Sequence, residues 1–222
     1  MKKYICVFCD ERKNIDTAYK ACGNIGICAG CSERLSRTSH SLPYKGTRNI
    51  SYIMSPFEYG EPLRGAILDF KFKNYWAYAR LFADMMKDYL DSYDIWDEFD
   101  YIVPVPLHEK RLKERGYNQA ELIAEYVSEY LQIPMRTDLV KRVRATQKQS
   151  SLKRIDRVLN VKDAFSCGSD LSGKGILLFD DICTTGNTLQ ACASALSGAN
   201  AKNICALTLA IYTEQKMPII MY

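Results

Sequence analysis

Ile176-Leu177-Leu178-Phe179-Asp180-Asp181-Ile182-Cys183-Thr184-Thr185-Gly186-Asn187-Thr188 constrains the architecture of this chain more than any other segment. Its apolar opening, Ile176 to Phe179, is long enough for one buried strand and ends in two adjacent carboxylates. A short polar loop with Gly186 follows, and a helix is expected from about Thr188. That order sets backbone N–H groups and hydroxyls at a helix N-terminus, where the dipole and the unpaired amides attract phosphate. Asp180 and Asp181 stand beside that cradle and suit the hydroxyls of a sugar phosphate. As mere caps of a strand–turn–helix corner, two neighbouring acids would repel each other without an external partner.

Outward from this stretch, strand and helix patterns alternate. Ile50 to Tyr59 reads as a strand or hairpin ending at Gly60, and Tyr101 to Val105 as a short strand. Asp138 to Val143 and Asn203 to Ile211 read as further strands. Helical spacing of apolar residues marks Leu63 to Phe72, Ala77 to Leu90 and Asn118 to Leu131. Asn187 to Leu196 is a fourth helix, closed by Ser197-Gly198 as a C-cap. The alternation predicts an α/β fold with a largely parallel sheet. In such sheets ligands bind at the carboxyl ends of strands, which again points to Asp180 and Asp181.

The chain has 222 residues, 47% of them hydrophobic and 25% charged, with a net charge of +4, as befits a soluble globular protein. It has no apolar run of membrane-spanning length, and Met1-Lys2-Lys3-Tyr4-Ile5-Cys6 lacks a signal-peptide apolar core. A cytoplasmic location without membrane insertion is therefore expected, and there thiols stay reduced. Cys6-Val7-Phe8-Cys9 and Cys28-Ala29-Gly30-Cys31 form two CxxC knuckles with a spacing suited to a structural four-thiolate Zn²⁺ site. Cys22 in the spacer is a weaker candidate ligand, while Cys167, Cys192 and Cys205 read as small buried hydrophobes. The division expected is a zinc-binding module over 1–40, a linker and hairpin over 41–60, and the α/β domain over 61–222. Metal removal is then expected to unfold the module and leave the large domain folded.

A second anion site is expected where Arg115-Gly116 precedes the helix near Asn118. Glycine lets backbone amides approach an anion, and a guanidinium adds bidentate contacts, with Lys110 and Arg111 adding charge. His108 is a weak site candidate, since a lone histidine is more often a cap. Basic residues also dominate Arg136 to Arg157, a segment suited to phosphate or to a nucleic acid backbone.

The Asp180–Thr188 stretch resembles the signature for phosphoribosyl pyrophosphate (PRPP) in type I phosphoribosyltransferases. The resemblance implies that Asp180 and Asp181 hold the ribose hydroxyls. It gives Thr184, Thr185, Gly186 and Thr188, with the backbone of Cys183 and Asn187, to the 5′-phosphate. The cysteine pairs, Pro104-Val105-Pro106-Leu107-His108, Arg111, Arg115-Gly116-Tyr117-Asn118-Gln119, Arg144 with Thr146-Gln147, and the acid loop together resemble the ComF family over nearly the whole chain. This implies a type I phosphoribosyltransferase-like, doubly wound, mostly parallel sheet with a small N-terminal zinc ribbon. It also implies Mg²⁺ with the PRPP, a mobile loop over 144–157, and a cytoplasmic role in handling single-stranded DNA beside a DNA-uptake helicase. If the chain catalyses ribosyl transfer to a nitrogenous acceptor, Asp180, Asp181 and Arg115 are the catalytic residues. The resemblance leaves open a binding protein that senses or holds PRPP without turnover. Purine-salvage relatives carry an acid two positions before the loop glycine, where this chain has Thr184.

Overall fold

The protein is described here from a computed structural model covering residues 3–13, 17–20, 23–38, 44–45, 48–143 and 164–213. Its N-terminal strands are β1 (Tyr4–Cys6), β2 (Arg12–Lys13), β3 (Thr17–Lys20) and β4 (Ile25–Cys28), followed by the short helix α1 (Ala29–Ser32). They form a small sheet in the order β2-β1-β4-β3. Next come β5 (Tyr44–Lys45), β6 (Tyr52–Met54), β7 (Phe57–Glu58), α2 (Leu63–Phe72), α3 (Tyr78–Leu90), β8 (Tyr101–Pro104), α4 (Glu109–Arg115) and α5 (Gln119–Leu131). The chain continues through β9 (Val140–Arg142), β10 (Phe165–Cys167), β11 (Gly175–Cys183), α6 (Asn187–Gly198) and β12 (Asn203–Ile211).

The large sheet runs β5-β6-β12-β11-β8, with β7 also on β12. Its pairings are parallel except at β5, which lies antiparallel on β6. Side chains alternate across a strand, so β11 feeds two cores at once. Leu177 and Phe179, with Cys205 and Leu207 of β12, face Ile67 and Phe70 of α2, Phe82 and Met85 of α3, and Ile123 of α5. Ile176 and Leu178, with Ile204 and Ala206, face Leu189, Cys192 and Leu196 of α6 and the β9–β10 hairpin residues Val140 and Phe165. Helices on both faces of a mostly parallel sheet give the doubly wound architecture anticipated from the alternating pattern.

Three features differ from the sequence expectation. Strand β11 does not stop at Phe179 but runs through both acids to Cys183, because β12 continues beside it and pairs Asp180 with Thr208 and Ile182 with Ala210. On its other side β8 ends at Pro104, opposite Phe179, and Val105 N–H makes the last bond to Phe179 O at 2.8 Å. The acids therefore sit on a strand flanked on one side only. Secondly, β6 and β7 are strands of the large sheet, so part of the expected linker and hairpin belongs to it. Thirdly, the basic run after β8 forms the helix α4. His108 Nδ1 accepts the Lys110 N–H at 3.2 Å as its N-cap, and left-handed Gly116 (φ 78°) ends it.

The N-terminal module does not stand apart. Tyr4, Val7, Ile27, Cys31 and Leu35 are buried in the same core as α2 and α3. Glu58 N–H donates to Ser36 O at 2.8 Å and Thr38 N–H to Pro56 O at 3.0 Å, while the Arg37 guanidinium lies 5.6 Å over the Phe57 ring. This packing opposes the expectation that the module unfolds alone, since its unfolding would expose residues of the shared core. Residues 144–163, which include the basic loop, lie outside the described residues, as does Cys22.

At the start of β11, Gly175 passes against the 3-10 turn Trp96–Glu98, and an added Cβ would lie 1.9 Å from Glu98 O. Both atoms of that contact are held by backbone, and Asp100 fixes the Gly175 N–H at 2.8 Å. Gly175→Ala is expected to lower stability by about 3 kcal/mol or more, read from urea unfolding; a change below about 0.5 kcal/mol would show that the turn yields freely.

Candidate functional site

The two acids are not equivalent. Asp181 is 7% exposed, and its Oδ2 pairs with Lys71 Nζ of α2 at 2.7 Å. Asp181 N–H donates to Asp180 Oδ1 at 2.9 Å. Strand alternation sends Asp180 the other way, toward the face of α6 and β9, where Arg142, Cys183 and Cys192 feel its charge. Burial first, and then the neighbouring Asp181 carboxylate, push Asp180 up to about 8, with Lys71 opposing. Beside Asp180 in register, the buried Thr208 hydroxyl finds no hydrogen-bond partner among the described residues.

Beyond the acids the chain leaves the sheet at Cys183, which is 1% exposed. Burial and the charge of Asp180 push its thiol up to about 12, so it fills space and is no nucleophile. Thr184 and Thr185 are exposed, and Gly186 takes the left-handed conformation (φ 73°) as N-cap of α6. Among the described residues no side chain caps this helix, and its first turn, with Asn187 and Thr188 half-buried, carries no acid. The backbone N–H groups of that turn, two threonine hydroxyls and a helix dipole thus follow the acid pair directly, a setting that favours an anion.

The connection after β8 emerges beside the one after β11, because the two strands are parallel neighbours. It brings Arg115, at the end of α4, into the field of Asp181 and Asp180. Burial holds the Arg115 pKa below the usual guanidinium range, the two acids oppose that shift, and Arg111 adds to it. Arg115 donates to Gln119 Oε1 at 2.7 Å and stacks 5.2 Å over the Phe72 ring. Gly116 has open space around it, and Asn118 caps α5 while donating to Val105 O at 3.1 Å. The two segments expected from sequence to bind anions therefore lie at the carboxyl ends of adjacent parallel strands. His108 serves as the helix cap.

Sequence reasoning missed Lys71 and Phe72, and it placed Arg142 only within the basic run 136–157. Lys71 carried a legible signal: it follows Leu63 and Ile67 at helical spacing, on the edge of an apolar stripe where a lysine is unusual. Arg142 lies over the Phe165 ring at 5.2 Å, and burial lowers its pKa.

In the N-terminal module Cys6, Cys9, Cys28 and Cys31 converge, with all four sulfurs within 4.8 Å of one another. Tetrahedral thiolate ligation needs sulfurs about 3.8 Å apart, so small rotations would close the set on a metal ion. Cys6 is buried, yet N–H donation from Cys28, Phe8 and Cys9 draws it down to about 7, toward the thiolate a metal requires. Burial raises Cys9 and Cys31. Four cysteines could fill a tetrahedron, a ligand set that leaves no open position for substrate.

A doubly wound sheet with an acid pair, an uncapped helix start and a cysteine module defines a class: phosphoribosyltransferase-type domains with an appended metal-binding ribbon. Residues 113–222 match the phosphoribosyl transferase domain family. Competence protein F of Haemophilus influenzae is 31% identical over 225 residues, covering 90% of this chain and 93% of that protein. Competence protein ComFC of Bacillus subtilis is 26% identical over 93% of this chain and 95% of its own. DNA utilization protein YhgH of Escherichia coli is 36% identical over 49% of this chain and 48% of its own. The chain belongs to the ComF family. Among the described residues, no helix is long and apolar enough to cross a membrane.

Two outcomes follow from this geometry. Asp180 binds its proton more tightly folded than unfolded, so between about pH 4 and pH 8 the folded state holds more protons and stability falls as pH rises. Asp180→Asn should then gain on the order of 2 kcal/mol over the parent at pH 8 and lose that advantage near pH 4, by denaturant titration; a pH-independent gap would contradict the assigned burial. Chelation, or Cys28→Ser, should lower the thermal midpoint of the whole chain. Amides of α3 should lose hydrogen-exchange protection together with those of β4, and full protection of α3 would show the module to be independent.

Proposed function

We propose that this chain binds PRPP at the β11–α6 corner and uses that site in handling single-stranded DNA during DNA uptake or utilisation. The observation that carries the reading is the acid pair at the carboxyl end of a parallel strand, with the uncapped α6 start on one side and Arg115 on the other. In this reading Asp180 and Asp181 receive the ribose hydroxyls. Thr184, Thr185, Gly186 and Thr188, with the backbone of Cys183 and Asn187, receive the 5′-phosphate. Arg115 and the Gly116 backbone receive the pyrophosphate. Mg²⁺, arriving with the ligand, would neutralise pyrophosphate charge, and Zn²⁺ is the ion proposed for Cys6, Cys9, Cys28 and Cys31. The relatives' names, competence and DNA utilization proteins, support the DNA-handling role; single-stranded DNA, a DNA-uptake helicase and a cytoplasmic setting belong to the proposal.

Transfer of ribose 5-phosphate to a nitrogenous acceptor is the second reading, favoured by a guanidinium placed where a leaving pyrophosphate would need charge. Thr184 supplies no carboxylate for the acceptor's proton, so the binding reading ranks first. Calorimetry with PRPP and Mg²⁺ decides the site: the Asp180→Asn, Asp181→Asn double variant should bind at least about tenfold more weakly than the parent. Equal affinity would remove the acids from the site. Pyrophosphate release on adding candidate bases would promote the transferase reading over the binding one.

A further inference from the structure

Three consecutive residues at the end of α2 each reach a different part of the site. Phe70 O accepts the Tyr117 hydroxyl, and the two rings lie 5.5 Å apart, which fixes the loop between α4 and α5. Lys71 Nζ pairs with Asp181 Oδ2 at 2.7 Å, with side-chain exposures of 16% and 10%. Phe72 is 68% exposed and spends its ring under the Arg115 guanidinium at 5.2 Å. An exposed phenylalanine at a helix end and a half-buried lysine beside it are each poor choices for stability alone. Their common feature is the site they touch.

We infer that the last turn of α2 is the positioning element of the site, with Lys71 orienting Asp181 for the sugar and Phe72 orienting Arg115 for the pyrophosphate. This rests on the PRPP reading above. Lys71 takes the inner oxygen of Asp181, which leaves the rest of that carboxylate in one orientation and supplies its countercharge from the protein. A guanidinium held on one face by a ring, and at its edge by the buried Gln119, keeps few orientations, so little order is lost when it meets an oxyanion. Neither residue needs to touch the ligand. Both act through their partners, and the turn sets the spacing between the sugar half and the pyrophosphate half.

The test titrates the full chain with three probes: PRPP with Mg²⁺, ribose 5-phosphate, and inorganic pyrophosphate with Mg²⁺. Lys71→Met should weaken PRPP and ribose 5-phosphate by about tenfold or more and leave pyrophosphate within about twofold. Phe72→Ala should do the reverse, weakening pyrophosphate and PRPP by about threefold to tenfold while sparing ribose 5-phosphate. Lys71→Arg should recover most of the loss. The Lys71→Met, Asp181→Asn double variant carries no unpaired charge from this ion pair, and it should bind no worse than Asp181→Asn alone. Additive losses in that cycle would mean that Lys71 touches the ligand directly and would overturn the inference. So would equal weakening of every probe by either variant, or unchanged affinities in both. If the parent itself binds none of the three probes, the PRPP reading fails first, which separates that failure from failure of the inference.

Discussion

Burial of β11 on both faces is the constraint on which the rest of the structure depends. A strand with Leu177 and Phe179 in one core and Ile176 and Leu178 in the other has no solvent side on which to carry charge. Its carboxylates are confined to the end where cover runs out, and the sheet decides where that is. Strand β8 stops level with Phe179, its last bond to β11 being Val105 N–H to Phe179 O, while β12 runs on to Ile211. The unequal lengths of the two strands flanking β11 thus leave a notch in the pairing at Asp180 and Asp181, where only β12 continues beside them. The connections after β8 and β11 start beside that notch, because the two strands are parallel neighbours.

The notch is electrostatically unfinished. Lys71 settles one of the two acids, while Asp180 stays poorly solvated beside a like charge and Arg115 is partly desolvated. Buried ionisable groups without full compensation cost stability, and their retention at the carboxyl end of a sheet is the pattern of a ligand site. A ligand with hydroxyls for the acids and anionic groups for the helix start and the guanidinium relieves all three costs together. A neutral hydrocarbon ligand relieves none of them. This argument restricts the chemistry of the occupant more tightly than the shape of the notch does.

Much of this was legible in the sequence, and the illegible parts share a cause. The apolar run at Ile176, the helical stripe of α5 and the CxxC spacing are local patterns, and each matches an element or cluster in the structure. The end of β11 was misjudged because its extension through the acids depends on the length of β12, which no local pattern encodes. Helix α4 has no apolar stripe; its start and end are set by His108 and Gly116, single residues that show no helical period. Lys71 meets Asp181 across the fold, so its place on the α2 stripe marks it as unusual without naming its partner. The two CxxC knuckles announced a metal site but not that Val7, Ile27 and Leu35 would share a core with α2 and α3.

That shared core links the two ends of the molecule through a continuous set of contacts. The cysteine cluster holds β1, β4 and α1 in the shape that buries Tyr4, Ile27 and Leu35 against the helices. Helix α2 packs Ile67 and Phe70 into that same core, and its next residues, Lys71 and Phe72, hold Asp181 and Arg115. A ten-residue helix with one face fixed by packing has little freedom at its last turn. The cysteine module therefore shares its core with the helix that carries Lys71 and Phe72. A small module that cannot bury a core of its own is stabilised by docking, and four converging cysteines offer a metal a second means of holding its shape.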